Sequence, residues 1–159
     1  MNVTIKPAPI RKSLVVQAPQ ARAFEVFTAG MGRWWVKTNT ILPSSPQKTV
    51  VVEPRIGGRW YEIGEDGSEA EWGKVLVWSP PSRLVLTWQV DGDWQFNPKV
   101  LTEVEVRFVA EGQATRVELE HRKLETFGDA AETLREVFDA PSGWSGTLAA
   151  CAAAIATHA

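Results

Sequence analysis

The stretch EPRIGGRWYEIGEDGSEAEWGKVLVWSPPSRLVLTWQ, from Glu53 to Gln89, decides the fold. Gly57-Gly58 lets a strand begin with its backbone packed closely, since neither residue carries a Cβ. Asp66-Gly67 is a hairpin signal, because that pair accepts the positive φ angles of a tight turn. Pro80-Pro81 cannot continue a central strand, so the chain stops and reverses there. Between these breaks, Arg59–Gly64, Glu69–Trp78 and Arg83–Val90 are rich in Trp, Val, Leu and Tyr. They read as a three-stranded antiparallel meander, and Trp60, Trp72, Trp78 and Trp88 give it a wall of large, flat side chains.

Upstream, Ile10–Gln17 alternates as a strand does, after a loose lead-in over residues 1–9. Pro19 suits the first turn of a helix, and Ala21–Thr28 follows with Ala23, Phe24 and Phe27 at helical spacing. Gly30 and Gly32 end it, and Met31–Val36 forms a second short turn carrying Trp34 and Trp35. Residues 38–48 are rich in Thr, Ser, Pro and Asn and read as a loop. Lys48–Glu53 is a short β-branched strand.

Downstream, Asp91-Gly92 turns the chain and Asp93–Lys99 is a loop holding Trp94 and Phe96. Leu101–Ala110 and Thr115–Lys123 then alternate cleanly, with one wet and one buried face each, as antiparallel strands do. Glu103, Glu105, Glu118 and Glu120 fall on the wet face, where solvated pairs with Arg107, Arg116 and Arg122 are expected. Gly128–Phe138 reads as a short helix. Pro141–Thr157 reads as one longer helix, with Trp144, Leu148, Cys151, Ala152 and Ile155 on a single face.

The pattern predicts one α+β domain over residues 1–159: a curved antiparallel sheet of about six strands, two short helices after strand 1, and a C-terminal helix covering the apolar face. The net charge of −2 and pI of about 5.7 give no global case for nucleic acid. The single cysteine, Cys151, excludes an internal disulfide and fits a reducing compartment. No leader-like or membrane-spanning apolar run is visible, so a cytoplasmic protein is expected.

The residues Glu53 to Trp60, Asp66-Gly67, Gly73-Lys74-Val75, Pro80 to Trp88, and Gly143-Trp144 before Leu148 resemble the activator-of-heat-shock-chaperone-ATPase-like family. That family belongs to the START/polyketide-cyclase (SRPBCC) superfamily with the birch-pollen-allergen helix-grip fold. The resemblance runs from Ile10 to about Ile155. It implies a seven-stranded sheet gripping the C-terminal helix around an apolar pocket, and it raises a chaperone ATPase as a possible partner. It does not imply a reaction, since fold alone does not supply one.

The catalytic search is nearly empty. With one cysteine, and with His158 next to the end and expected to be frayed, His121 is the one inward histidine, so no Cys/His metal site can be built. No nucleophile-elbow, zinc-protease or phosphate-loop motif occurs, and no cofactor is implied. Period-two alternation from Trp60 brings Glu62 to the same side, where a carboxylate among indoles could act as an acid or bind a polar ligand group. The expected pocket lining is Trp35, Trp60, Glu62, Trp72, Trp88, His121, Phe138, Trp144 and Leu148, with Trp94 a further flanking candidate. Indole faces suit flat or aliphatic ligands. Three function classes follow: non-catalytic binding of a small hydrophobic or aromatic molecule, which leads; a protein-interaction module acting on a chaperone or another partner; and a cyclase- or hydrolase-like enzyme using Glu62 or His121.

Overall fold

A computed structural model describes residues 6–157; Met1–Ile5 of the lead-in and His158 lie outside the described residues. Seven strands form one sheet: β1 Ile10–Val16, β2 Gln47–Val52, β3 Arg59–Gly64, β4 Glu69–Ser79, β5 Arg83–Trp88, β6 Thr102–Glu111 and β7 Ala114–Arg122. Their order is β1-β7-β6-β5-β4-β3-β2, and every neighbouring pair is antiparallel. Strands β2 to β7 are a continuous meander, and β1 crosses to pair with β7. The helices are α1 Gln20–Thr28, α2 Met31–Trp34, α3 Ala131–Asp139 and α4 Gly146–Thr157.

Register explains the core. Leu84 faces Val106, Val106 faces Leu119, and Leu86 faces Val104, so the inward positions of β5, β6 and β7 form apolar rows. Leu84, Leu86, Val104, Val106 and Leu119 are all buried. The sheet curls because register shifts interrupt β2/β3, β3/β4 and β4/β5. The β3/β4 shift falls between Trp60 and Tyr61, opposite Gly73 and Glu71, beyond the Gly57-Gly58 pair. Gly73 is required there, because a Cβ would run into the Thr87 carbonyl on β5. Helix α4 packs against α1, α2 and β1, and buries Leu148, Cys151 and Ile155.

Two helix expectations are corrected. Pro141–Thr157 is not one helix: Pro141–Ser145 is a single wide turn, and Gly143 leaves helical geometry at ψ −129°. Trp144 is buried on that turn, ahead of α4. Likewise Gly128 adopts φ 68° and ψ −134°, so α3 begins at Ala131 after a run of 3-10 turns over Leu124–Ala130. Both breaks fall at glycine, where the backbone escapes α geometry at least cost.

The outer face of the sheet also differs from a row of solvated pairs. Glu105 is 5% exposed, beneath Arg83, Arg107 and Arg122, all three of which donate to its carboxylate. Burial opposes its charge, but hydrogen bonds from Arg83 and Arg122 and the charges of Arg107 and Arg122 win, holding the carboxyl down at about 2. Arg116 pairs with Glu111 at the end of β6, at 2.8 Å, rather than forming an ion pair with Glu103, Glu105, Glu118 or Glu120. No helix of the described residues is long and apolar enough to cross a membrane.

Candidate functional site: a cleft walled by tryptophan

A cleft of about 410 Å³ opens beside the start of α4. Strands β4 and β5 supply Trp72 and Trp88, the end of α2 supplies Trp35, and α3 supplies Val137 and Phe138. The Pro141–Ser145 turn supplies Ser142, Gly143 and Trp144, the first turn of α4 supplies Thr147, and the loop before β2 supplies the rim from Thr38 to Ile41. Trp94 stands at the mouth, 44% exposed.

The wall is a continuous ring of aromatic contacts. Centroids lie 4.9 Å apart for Trp35–Trp72, 5.6 Å for Trp72–Trp88, 5.7 Å for Trp88–Phe138 and 6.2 Å for Phe138–Trp144. Most of these pairs meet edge-on or tilted, as aromatic quadrupoles prefer, which leaves ring faces and edges toward the opening.

Three of the wall indoles have their N–H groups fixed by protein. Trp35 Nε1 donates to the Asn39 carbonyl at 2.9 Å, Trp72 Nε1 to Glu62 Oε2 at 2.7 Å, and Trp144 Nε1 to His121 Nδ1 at 3.0 Å. Trp88 Nε1 is buried with no hydrogen-bond partner among the described residues.

Glu62 is fully buried behind Trp72. Its Oε1 accepts from the Thr40 hydroxyl and from Gln47 Nε2, and its Oε2 from the Ile41 amide at 2.9 Å as well as from Trp72. His121 is equally buried, with Nε2 2.9 Å from Thr102 Oγ1. Because the Trp144 indole can only donate, Nδ1 is the acceptor and Nε2 carries the proton. Burial pushes the imidazole down to about 3.

Of the residues expected at the pocket, the structure brings Trp35, Trp72, Trp88, Phe138 and Trp144 together on the wall, with Trp94 at the mouth. Trp60, Glu62, His121 and Leu148 stand behind it. Trp60 packs edge-on against Trp72 and Trp88 and points its N–H at Met31 Sδ, 3.3 Å away. The rim from Thr38 to Ile41, and Val137, Ser142, Gly143 and Thr147, were not read as pocket residues. Their sequence is ordinary loop and turn, and only the fold brings them to the cleft. None of the lining side chains is ionisable. The wall can bind, orient and exclude water, and it holds no acid, base or nucleophilic thiol of its own. Among the described residues no three His, Cys, Asp or Glu side chains gather as a metal site would need.

A curled antiparallel sheet closed by a C-terminal helix beside a ligand-sized cleft defines a helix-grip α+β protein of the SRPBCC class. More narrowly, the chain belongs to the family of activator of Hsp90 ATPase homolog 1-like proteins, whose sequence profile matches residues 17–155. It is similar to the anthrahydroquino-γ-pyrone synthase Txn09, solved in complex with SUM, at 42% identity over 92% of this chain and 96% of that one, with a TM-score of 0.64. It is also similar to CalC, a self-sacrificing resistance protein from Micromonospora echinospora, at 30% identity over 94% and 95% of the two chains, TM-score 0.68. The Aha1 dimer of Colwellia psychrerythraea shares the fold at 14% identity, over 94% and 96%, TM-score 0.62. No curated protein matches the sequence.

Proposed function

We propose that the cleft binds a small, flat, hydrophobic or aromatic molecule. The observation that carries this is a cleft of ligand size whose wall is five aromatic side chains with no ionisable group among its lining residues. The polar side chains of the lining are Thr38, Asn39 and Thr40 on the rim and Ser142 and Thr147 beside the start of α4, where the edge of a ring system would meet hydroxyl and amide groups. A fused-ring quinone or pyrone fits such a surface, and the likeness to Txn09 supports that class of ligand. A cytoplasmic setting fits Cys151, which is buried and unpaired.

A second reading is favoured by the same relative, which is a synthase. Here the cleft would hold a flexible precursor folded for ring closure, and the rate gain would come from proximity and water exclusion. Neither Glu62 nor His121 lines the cleft, so neither would touch the precursor in this geometry.

The test is titration of the intact protein with 1,8-dihydroxyanthraquinone, read by tryptophan fluorescence and by native mass spectrometry. Saturable quenching with one molecule bound per chain is expected. Linear, non-saturating quenching with no bound species would overturn the proposal.

A further inference from the structure

We propose that Glu62 is a positioning residue that sets the shape of the cleft and so its selectivity among planar ligands. This rests on the binding reading above. Its four donors come from three pieces of chain, the adjacent Thr40 and Ile41 of the rim loop, Gln47 at the start of β2 and Trp72 on β4, and three of them, Thr40, Ile41 and Trp72, belong to residues that line the cleft. The fourth, Gln47 Nε2, also donates to the Asn39 carbonyl at 3.2 Å. That same carbonyl receives the indole N–H of Trp35. One carboxylate therefore ties two wall indoles and the rim together, directly or through one amide.

The chemistry of the post is specific. Four donors converge on two oxygens, and no cation pairs with Glu62 among the described residues. A carboxylate accepts at both oxygens, whereas a glutamine offers one oxygen and one NH2 group. Glu62→Gln must therefore turn an N–H toward either Thr40 and Gln47 or Ile41 and Trp72. Packing alone would be served as well by an apolar side chain, because a buried carboxylate carries a desolvation cost that only its hydrogen bonds offset. The residues those bonds hold are the rim and the wall.

The experiment compares wild type, Glu62→Gln and Thr40→Val. In ligand-free protein, 15N NMR follows the Trp72 indole N–H and hydrogen exchange follows the Ile41 amide, with the Leu119 amide in the core as reference. With ligand, dissociation constants are measured for 1,4-naphthoquinone and 1,8-dihydroxyanthraquinone. Glu62→Gln is expected to shift the indole signal and speed Ile41 exchange about tenfold, with Leu119 unchanged, as local opening predicts. The wild-type preference between the two quinones should shrink by about threefold or more as preorganisation is lost. Thr40→Val removes one rim donor and should speed Ile41 exchange and shrink the preference in the same way; it decides the matter if Glu62→Gln does not fold. Unchanged Trp72 and Ile41 signals in a folded variant, or an unchanged quinone preference, would overturn the proposal. If wild type binds neither quinone, the binding reading fails by itself, and the ligand-free signals still decide whether Glu62 positions the rim and Trp72.

Discussion

Trp144 gives its indole N–H to His121 Nδ1 at 3.0 Å, and that bond fixes the turn before α4 to the sheet. The chain of donors continues. His121 Nε2 faces Thr102 Oγ1 at 2.9 Å, and Thr102 Oγ1 donates to the Trp88 carbonyl at 2.6 Å. A helix-leading turn, β7, β6 and β5 are thus joined through one neutral imidazole. Trp144 and Trp88 both line the cleft, so this relay shapes the wall from behind without exposing the histidine.

Burial of His121 makes stability pH-dependent with a defined sign. His121 sits at about 3 when folded, against an ordinary value of 6.5. The unfolded chain therefore binds a proton that the folded chain refuses. The stabilisation is complete above pH 6.5 and is lost as pH falls toward 3. Glu105 adds a second loss as pH falls from 4.5 toward about 2, because its charged form is favoured in the fold. Between about pH 5 and 6.5 the histidine acts nearly alone, with a slope approaching about 1.4 kcal/mol per pH unit at the lower end. Urea midpoints across that window check it. His121→Gln should flatten the slope, and an equally steep variant would contradict the assignment.

Two tryptophans with similar burial should respond differently to loss of their N–H. Trp72→Phe removes a donor from the buried Glu62 carboxylate. Trp88→Phe removes an N–H that has no partner among the described residues. Both lose comparable ring area, so the hydrogen-bond terms decide. Trp72→Phe is expected to be the more destabilising by roughly 2–4 kcal/mol, the combined effect of breaking a charged hydrogen bond and relieving an orphaned donor. Equal unfolding free energies would show that Trp88 Nε1 finds compensation in solution.

Much of this architecture is legible in the chain because sheets announce themselves locally. The Asp66-Gly67 hairpin, the stop at Pro80-Pro81 and the alternation of Thr102 to Phe108 each report a strand boundary or face within a few residues. The helix starts are less legible. Pro141 and Ser142 look like an N-terminus, and only the fold shows that the backbone leaves helical geometry at Gly143, where an added Cβ would run into the Phe138 carbonyl. The cleft is least legible. Trp35, Trp72 and Trp88 announce an aromatic surface, but which side of Trp72 is cleft and which is the Glu62 post depends on where the loop from Thr38 to Ile41 folds back. That loop is held by side-chain hydrogen bonds across more than twenty residues of sequence, and no periodicity encodes them. Glu105 escaped for a similar reason: alternation places it outward correctly, and only the third dimension piles three arginines over it.

Gly73 carries the bend that brings Trp72 and Trp88 side by side. Its missing Cβ lets β4 cross the Thr87 backbone at the β3/β4 register shift. Gly73→Ala meets main chain rather than a flexible side chain, so the strand pair must separate. A loss of about 3 kcal/mol or more is expected, in the range of severe backbone and overpacking defects. Gly67→Ala is the comparison: φ is +84°, but no atom lies within 4 Å of the added methyl. It should cost about 1 kcal/mol, the penalty of a left-handed non-glycine residue. Thermal and urea unfolding of the two variants would reverse this order if the close approach at Thr87 were not what requires glycine.

Val137 offers the cleanest way to close the cleft without disturbing the core. It lines the mouth from α3, yet it is 41% exposed, while its neighbour Phe138 is buried in the wall. An indole at this position would lie across the opening toward Trp94, which already meets Phe138 at 6.3 Å. Stability should change by no more than about 0.5 kcal/mol, as for other exposed helix positions. Val137→Trp should therefore unfold at the wild-type urea midpoint and weaken 1,8-dihydroxyanthraquinone binding at least about tenfold, a steric cost of about 1.4 kcal/mol. Full-strength binding by a folded Val137→Trp variant would move the ligand site away from this cleft, since no molecule of that size enters a cleft of about 410 Å³ unhindered once its mouth carries a second exposed indole.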